Sequence, residues 1–105
     1  MGQMTQFDVF SHGFARDPGI PYVIVLQSDL LSPLRSAVVA PLRRLGDTPV
    51  FDRLTPVLEV KGEKLVLALT EIVHLPVKWL GAPVANLASE RDRIIAALDM
   101  LFTGI

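Results

Sequence analysis

The chain has 105 residues, half of them apolar, with ten lysines and arginines against eleven aspartates and glutamates, a formal net charge of −1. That length suits one domain burying roughly 60 to 65% of its unfolded surface, and near neutrality excludes a global positive field for phosphates or anionic lipid. Cysteine is absent, which excludes a disulfide framework and thiolate metal sites and suits the cytoplasm, and no window approaches the ~18 apolar residues of a membrane span.

Along the chain, residues 7–10 (FDVF) alternate as a short strand, and RDPGIP after them is turn chemistry, with Pro18 fixing φ and Gly19 free to take positive φ. YVIVL at 22–26 is a continuous apolar run, the pattern of a strand covered on both faces. DLLSPLR breaks the sheet and reads as a loop. SAVVAPL at 36–42 is a third strand, with Pro41 expected at an edge or a strand end. Residues 43–52 have no clear period and read as a loop or a short helical turn. PVLEVKGEKLVLALT then predicts a hairpin, 57–60 against 65–70 around Lys61, Gly62 and Glu63. One more short strand is expected at 77–80, between Pro76 and Gly81.

The final segment is helical. Ser89 followed three residues later by Asp92 resembles a capping box, and steps of 100° put Ile94, Leu98, Leu101 and Ile105 on one line with Ile95 and Phe102 beside it. That stripe is expected to face the sheet. Asp92, Ala96, Asp99 and Thr103 form the opposite line, and Gly104 is the expected stop.

No phosphate-cradling glycine loop, metalloprotease helix or nucleophile elbow is present. Ser28 and Asp29 pair a hydroxyl with a carboxylate, but such a pair is more often a turn. His74 offers a general base or, more commonly, a structural histidine. With His12 far away in sequence, the metal signal is weak and no cofactor is expected. Arg43 and Arg44 read as a solvated pair on a loop, and Trp79 as core or interface packing on its strand. Leu30 and Leu31 sit in a turn-like segment, where they are either tucked under the last helix or held out for a partner. The mean hydropathy of +0.44 is high for a small domain, and a homodimer interface or a recognition patch accounts for it.

Taken in order, VLQSDLL (25–31), VVAPL (38–42), PVLEV (56–60), LPVKWLGAPVANLASERD (75–92) and IIAALDMLFTGI (94–105) resemble the CcdB family, the toxins of plasmid-addiction modules. The resemblance covers about residues 7–105 of a single domain. It implies a mainly β fold, an SH3-like barrel or antiparallel sheet plus a small second sheet, closed by a C-terminal helix and paired as a homodimer. It further implies a protein that is not an enzyme. Such a toxin binds the A subunit of DNA gyrase and traps the cleaved complex, is neutralised by a CcdA-like antitoxin, and meets nucleic acid directly only within the toxin–antitoxin complex, which regulates its own transcription. The gyrase contact carries over to Thr103, Gly104 and Ile105, with Met100 beside them. The antitoxin contact carries over to Leu30, Leu31, Asp99 and Phe102. Familiar members have tryptophan where this chain has Thr103, and asparagine where it has Asp99. Two alternatives stay open: a ribonuclease toxin of the Kid and MazF type on the same fold, for which Arg16, Arg35, Arg43 and Arg44 are the available cations, and a non-toxic relative that only binds antitoxin.

Overall fold

The computed structural model describes residues 4–11, 19–31, 35–46, 48–51 and 53–104, Leu31 by its backbone alone. Among these residues, seven strands form one antiparallel sheet: β1 (Asp8–Ser11), β2 (Tyr22–Val25), β3 (Ser36–Arg44), β4 (Val57–Val60), β5 (Glu63–Leu67), β6 (Val73–Pro76) and β7 (Ala85–Asn86). Their order is β4-β5-β3-β2-β1-β7, and β6 attaches separately to β3. The result is a nearly closed, barrel-like sheet with a helix, α1 (Arg91–Thr103), against it. The small second sheet is therefore continuous with the first. On one edge β3 pairs with β2, and on the other its first half pairs with β6 and its second half with β5.

Pro41 marks the changeover, inside the longest strand rather than at an end. The reason lies in the hydrogen-bond phase. Leu26 N–H donates to Val38 O, so the bonded pairs on the β2 side fall at alternate residues and Pro41 opposite Val23 is a non-bonded pair. The missing N–H would have pointed to the other edge, where β6 has ended at Val73 and β5 first pairs at Leu42. Pro41 O still accepts from Ala68 N–H.

The apolar run of β2 is covered on both sides, as its sequence predicts. Tyr22, Ile24 and Leu26 face a core shared with Val9, Leu42, Leu58, Leu65, Leu69 and the helix. Val23 and Val25 face a smaller core with Phe10, Val39 and Leu80. The β4–β5 hairpin turns through Lys61 and Gly62, both at positive φ (51° and 83°), the signature of a type I′ turn. Glu63 belongs to the strand, opposite Val60. The strand stops at Leu67 rather than Thr70, and a 3-10 turn follows at Leu69–Glu71.

Three other expectations shift. Phe7 precedes β1, because it takes φ 70° in the turn that sends Asp8 N–H back to Thr5 O. The strand expected at 77–80 lies earlier, at Val73–Pro76, and Val77–Trp79 is a 3-10 turn closed by Leu80 N–H on Val77 O. Just past β6, Val77 N–H donates to Arg35 O, so the proline nitrogen of Pro76 points outward from an edge strand, where no donor is needed. Ser89 does not cap α1: it lies in the 3-10 turn Ala88–Glu90, and the N-cap residue Glu90 makes no side-chain cap bond. Asn86 Oδ1 instead takes the Ala88 N–H at 2.8 Å and opens this lead-in turn.

Candidate functional site

The last turn of α1 presents Met100, Phe102, Thr103 and Gly104, with Asp99 one turn back. Ile94 and Ala97 are fully buried, and Ile95, Leu98 and Leu101 pack half-buried on the same core. Phe102, expected beside the stripe with Ile95, is 71% exposed, whereas Ile95, about 20° away in helical phase but two turns earlier, packs on the core; position along the axis, not phase, leaves Phe102 uncovered. Asp92, Ala96, Asp99 and Thr103 form the solvent-facing line as the periodicity predicts. Gly104 takes the left-handed conformation at φ 76° and its N–H donates to Met100 O, ending the helix as expected.

Thr103 has a specific local role. Its hydroxyl donates to Asp99 O at 2.6 Å, so the polar atom is committed to the helix backbone and the methyl is the group left to face a partner. A Cβ built on Gly104 meets nothing within 4 Å, so the glycine is required by its backbone conformation alone. Ile105 lies outside the described residues.

Leu30 stands elsewhere. It is 89% exposed on the 3-10 turn Asp29–Leu31, whose geometry is fixed by Ser28 Oγ accepting Leu30 N–H at 3.1 Å. Ser28 and Asp29 are thus turn formers. Leu30 is displayed rather than buried; the side chain of Leu31 lies outside the described residues. Asp29 accepts the Gln6 N–H at 2.6 Å, and Gln6 Oε1 accepts from Arg91 at 3.1 Å. Through Gln6 the Leu30 turn is linked to the side chain of Arg91, the first residue of α1. The expected antitoxin residues fall on two elements, the 3-10 turn and the last turns of α1.

The remaining candidates resolve locally. Arg43 and Arg44 are in β3, not on a loop: Arg43 makes a bidentate pair with Glu71 at 2.7 and 2.5 Å, and Arg44 pairs with Glu63. Neutralised in this way, neither supplies an open phosphate contact of the kind a ribonuclease groove needs. Arg16 and His12 lie outside the described residues. His74 is exposed and its Nε2 is 3.1 Å from Ser36 Oγ. No cluster of three potential metal ligands occurs among the described residues. Trp79 is 52% exposed on its 3-10 turn rather than on a strand in the core. No local pattern signals the Gln6 bridge, because its partners are 23 and 85 residues away.

No helix among the described residues is long and apolar enough to cross a membrane. The family model described as CcdB protein matches residues 6–104. That match takes in the whole sheet, the Leu30 turn and all of α1, and its extent places the chain among the toxins of toxin–antitoxin pairs. With β1 to α1 all inside the matched region, this chain belongs to the CcdB family.

Proposed function

We propose that the chain is a toxin that binds the A subunit of DNA gyrase through the end of α1, acting by holding the cleaved complex rather than by catalysis. A homodimer and neutralisation by a CcdA-like antitoxin belong to the same reading. The observation that carries it is the exposure of Phe102, Thr103 and Gly104 at the end of a helix whose other face is buried. An apolar residue 71% exposed on such a helix loses hydrophobic stabilisation unless something covers it. The exposed Leu30, on a separate 3-10 turn, favours an antitoxin that contacts more than one element of the toxin. An open apolar hollow bounded by Ile20, Val23, Val39, Ile72, Val73 and Leu75 gives the excess apolar surface of the chain a place against a second copy.

The test is gyrase supercoiling with purified protein. Deleting Gly104 and Ile105 is expected to abolish inhibition while the circular dichroism spectrum stays unchanged. Thr103→Trp is expected to strengthen inhibition by roughly thirtyfold, the equivalent of about 2 kcal/mol for an added aromatic anchor. A truncated chain that still blocks supercoiling overturns this reading. Inhibition by neither the parent chain nor Thr103→Trp favours the non-toxic, antitoxin-binding alternative instead.

A further inference from the structure

The hollow beside Val73 is apolar except for one carboxylate. Side chains alternate along β3, so Val39, Pro41 and Arg43 share a face, and the first two form the floor of the hollow with Val23 of β2. Its wall is the chain that leaves the 3-10 turn Leu69–Glu71 and enters β6, where Val73 lies opposite Val39 in the ladder. The smaller core reaches the surface here, since Val23 and Val39 belong to it and Leu75 packs against it. Among the described residues, Glu71 is the one ionisable group in the lining.

Arg43, next along the floor strand, meets that charge. Its Nε and a terminal nitrogen donate to the two Glu71 carboxylate oxygens at 2.7 and 2.5 Å. The Glu71 side chain is 40% exposed, so anything that covers the hollow takes water from it. A carboxylate covered without a partner is costly, and the cost falls only when its oxygens are already hydrogen-bonded. Here both are bonded within the chain. The same fork ties the end of the 3-10 turn to β3, at the point where Ile72 (φ −58°, ψ 131°) leads out of it into the wall.

A hollow whose one carboxylate is satisfied internally suits an apolar occupant, and a second copy brings one. Val73 is 49% exposed and stands on the rim. With rim and hollow on one patch, a twofold axis lets the Val73 of each copy meet the hollow of the other.

We propose that Arg43 is a positioning residue for the association of two copies: by holding both oxygens of Glu71 it lets the hollow be covered without stranding a charge, and it sets the wall that carries Val73. This rests on the homodimer reading above.

The dimer dissociation constant is measured for the full chain by sedimentation velocity over a dilution series, with urea unfolding of each variant beside it. Arg43→Met, which strands Glu71, is expected to raise the constant about tenfold or more, and Arg43→Lys, which replaces the fork by a point charge, about threefold. Replacing both partners, Arg43→Met with Glu71→Met, is expected to return it to within about threefold of the parent, because an apolar pair leaves no charge to cover. Val73→Asp is expected to weaken the dimer at least as much as Arg43→Met. A pair that serves only the fold of one chain lowers the urea midpoint and leaves the dissociation constant unchanged, which overturns the proposal. A monomeric parent overturns it together with the homodimer reading. A dimeric parent indifferent to Arg43→Met or to Val73→Asp, or a double variant no tighter than Arg43→Met, overturns it alone. Where Arg43→Met does not fold, the comparison is Arg43→Lys against the double variant, and a weaker dimer in the double variant overturns it.

Discussion

Single side chains fix distant parts of the chain to one another, and Asp8 is the clearest case. It is buried, with one carboxylate oxygen accepting the Thr5 N–H at 2.9 Å and the other accepting Asn86 Nδ2 at 2.9 Å. Nothing in FDVF marks this aspartate as internal, because its partner is 78 residues away and a buried carboxylate is recognised only by what satisfies it. Asp8→Ala removes the acceptor of Thr5 N–H and one of the two acceptors of Asn86 Nδ2, which keeps Gln6 O, and is expected to cost about 1 to 3 kcal/mol in urea unfolding. Asp8→Asn, which keeps one acceptor, is expected to cost less. Equal stability of the alanine variant and the parent contradicts the role given to these bonds. Phe7 beside it is buried at positive φ, with the Arg91 guanidinium 5.9 Å from its ring centre. A left-handed phenylalanine carries backbone strain of order 1 to 3 kcal/mol, which its burial and ring contact offset.

At the level of elements, the parts written locally are legible in the sequence and the parts set by distant partners are not. The type I′ turn needs only Lys61-Gly62 between two apolar runs, and the helix needs only its 3.6-residue period and Gly104. Pro41 is different: its tolerance inside β3 depends on which neighbour lies along each half of the strand, a fact about β5 and β6 rather than about SAVVAPL. Phe102 departs from its expected place for a related reason. The apolar stripe defines a direction, but how far along α1 the core reaches is set by the elements beneath it, and that core covers Ile95 and not Phe102. Of the candidate site, the last turn is legible as an apolar end without a local cover, while the display of Leu30, which the sequence leaves open between core and surface, is not. Ile94 anchors this packing at zero exposure. Ile94→Ala is expected to lose about 2 to 5 kcal/mol, read as a lower urea midpoint. Phe102→Ala, on the displayed side, is expected to move it by under about 0.5 kcal/mol. Similar losses for the two variants contradict the orientation of the helix.

Several large apolar side chains stay open among the described residues: Phe102 on α1, Leu30 on its 3-10 turn, Phe51, Val50 and Leu45 on the segment after β3, and Val73 beside the hollow. A homodimer, which the family relationship leads us to propose, draws on that surface. Its signature is mass action: the melting temperature of the parent chain is expected to rise with protein concentration, and sedimentation is expected to give twice the mass of 11.5 kDa. A concentration-independent melt with a monomeric mass contradicts it.

The pairing of β1 with β7 brings Asp8 opposite Asn86, and it bears on the order in which the protein is made. Until residue 86 has left the ribosome, β1 has a bare edge and the Asp8 carboxylate lacks its last partner, and α1, which covers the larger core, comes later still. Pairings of such long range are slow to form because the loop must close before they contribute. The first strand therefore waits for residue 86, and the last turn of α1 forms later still. A fragment that stops before residue 86 has neither a closed sheet nor α1.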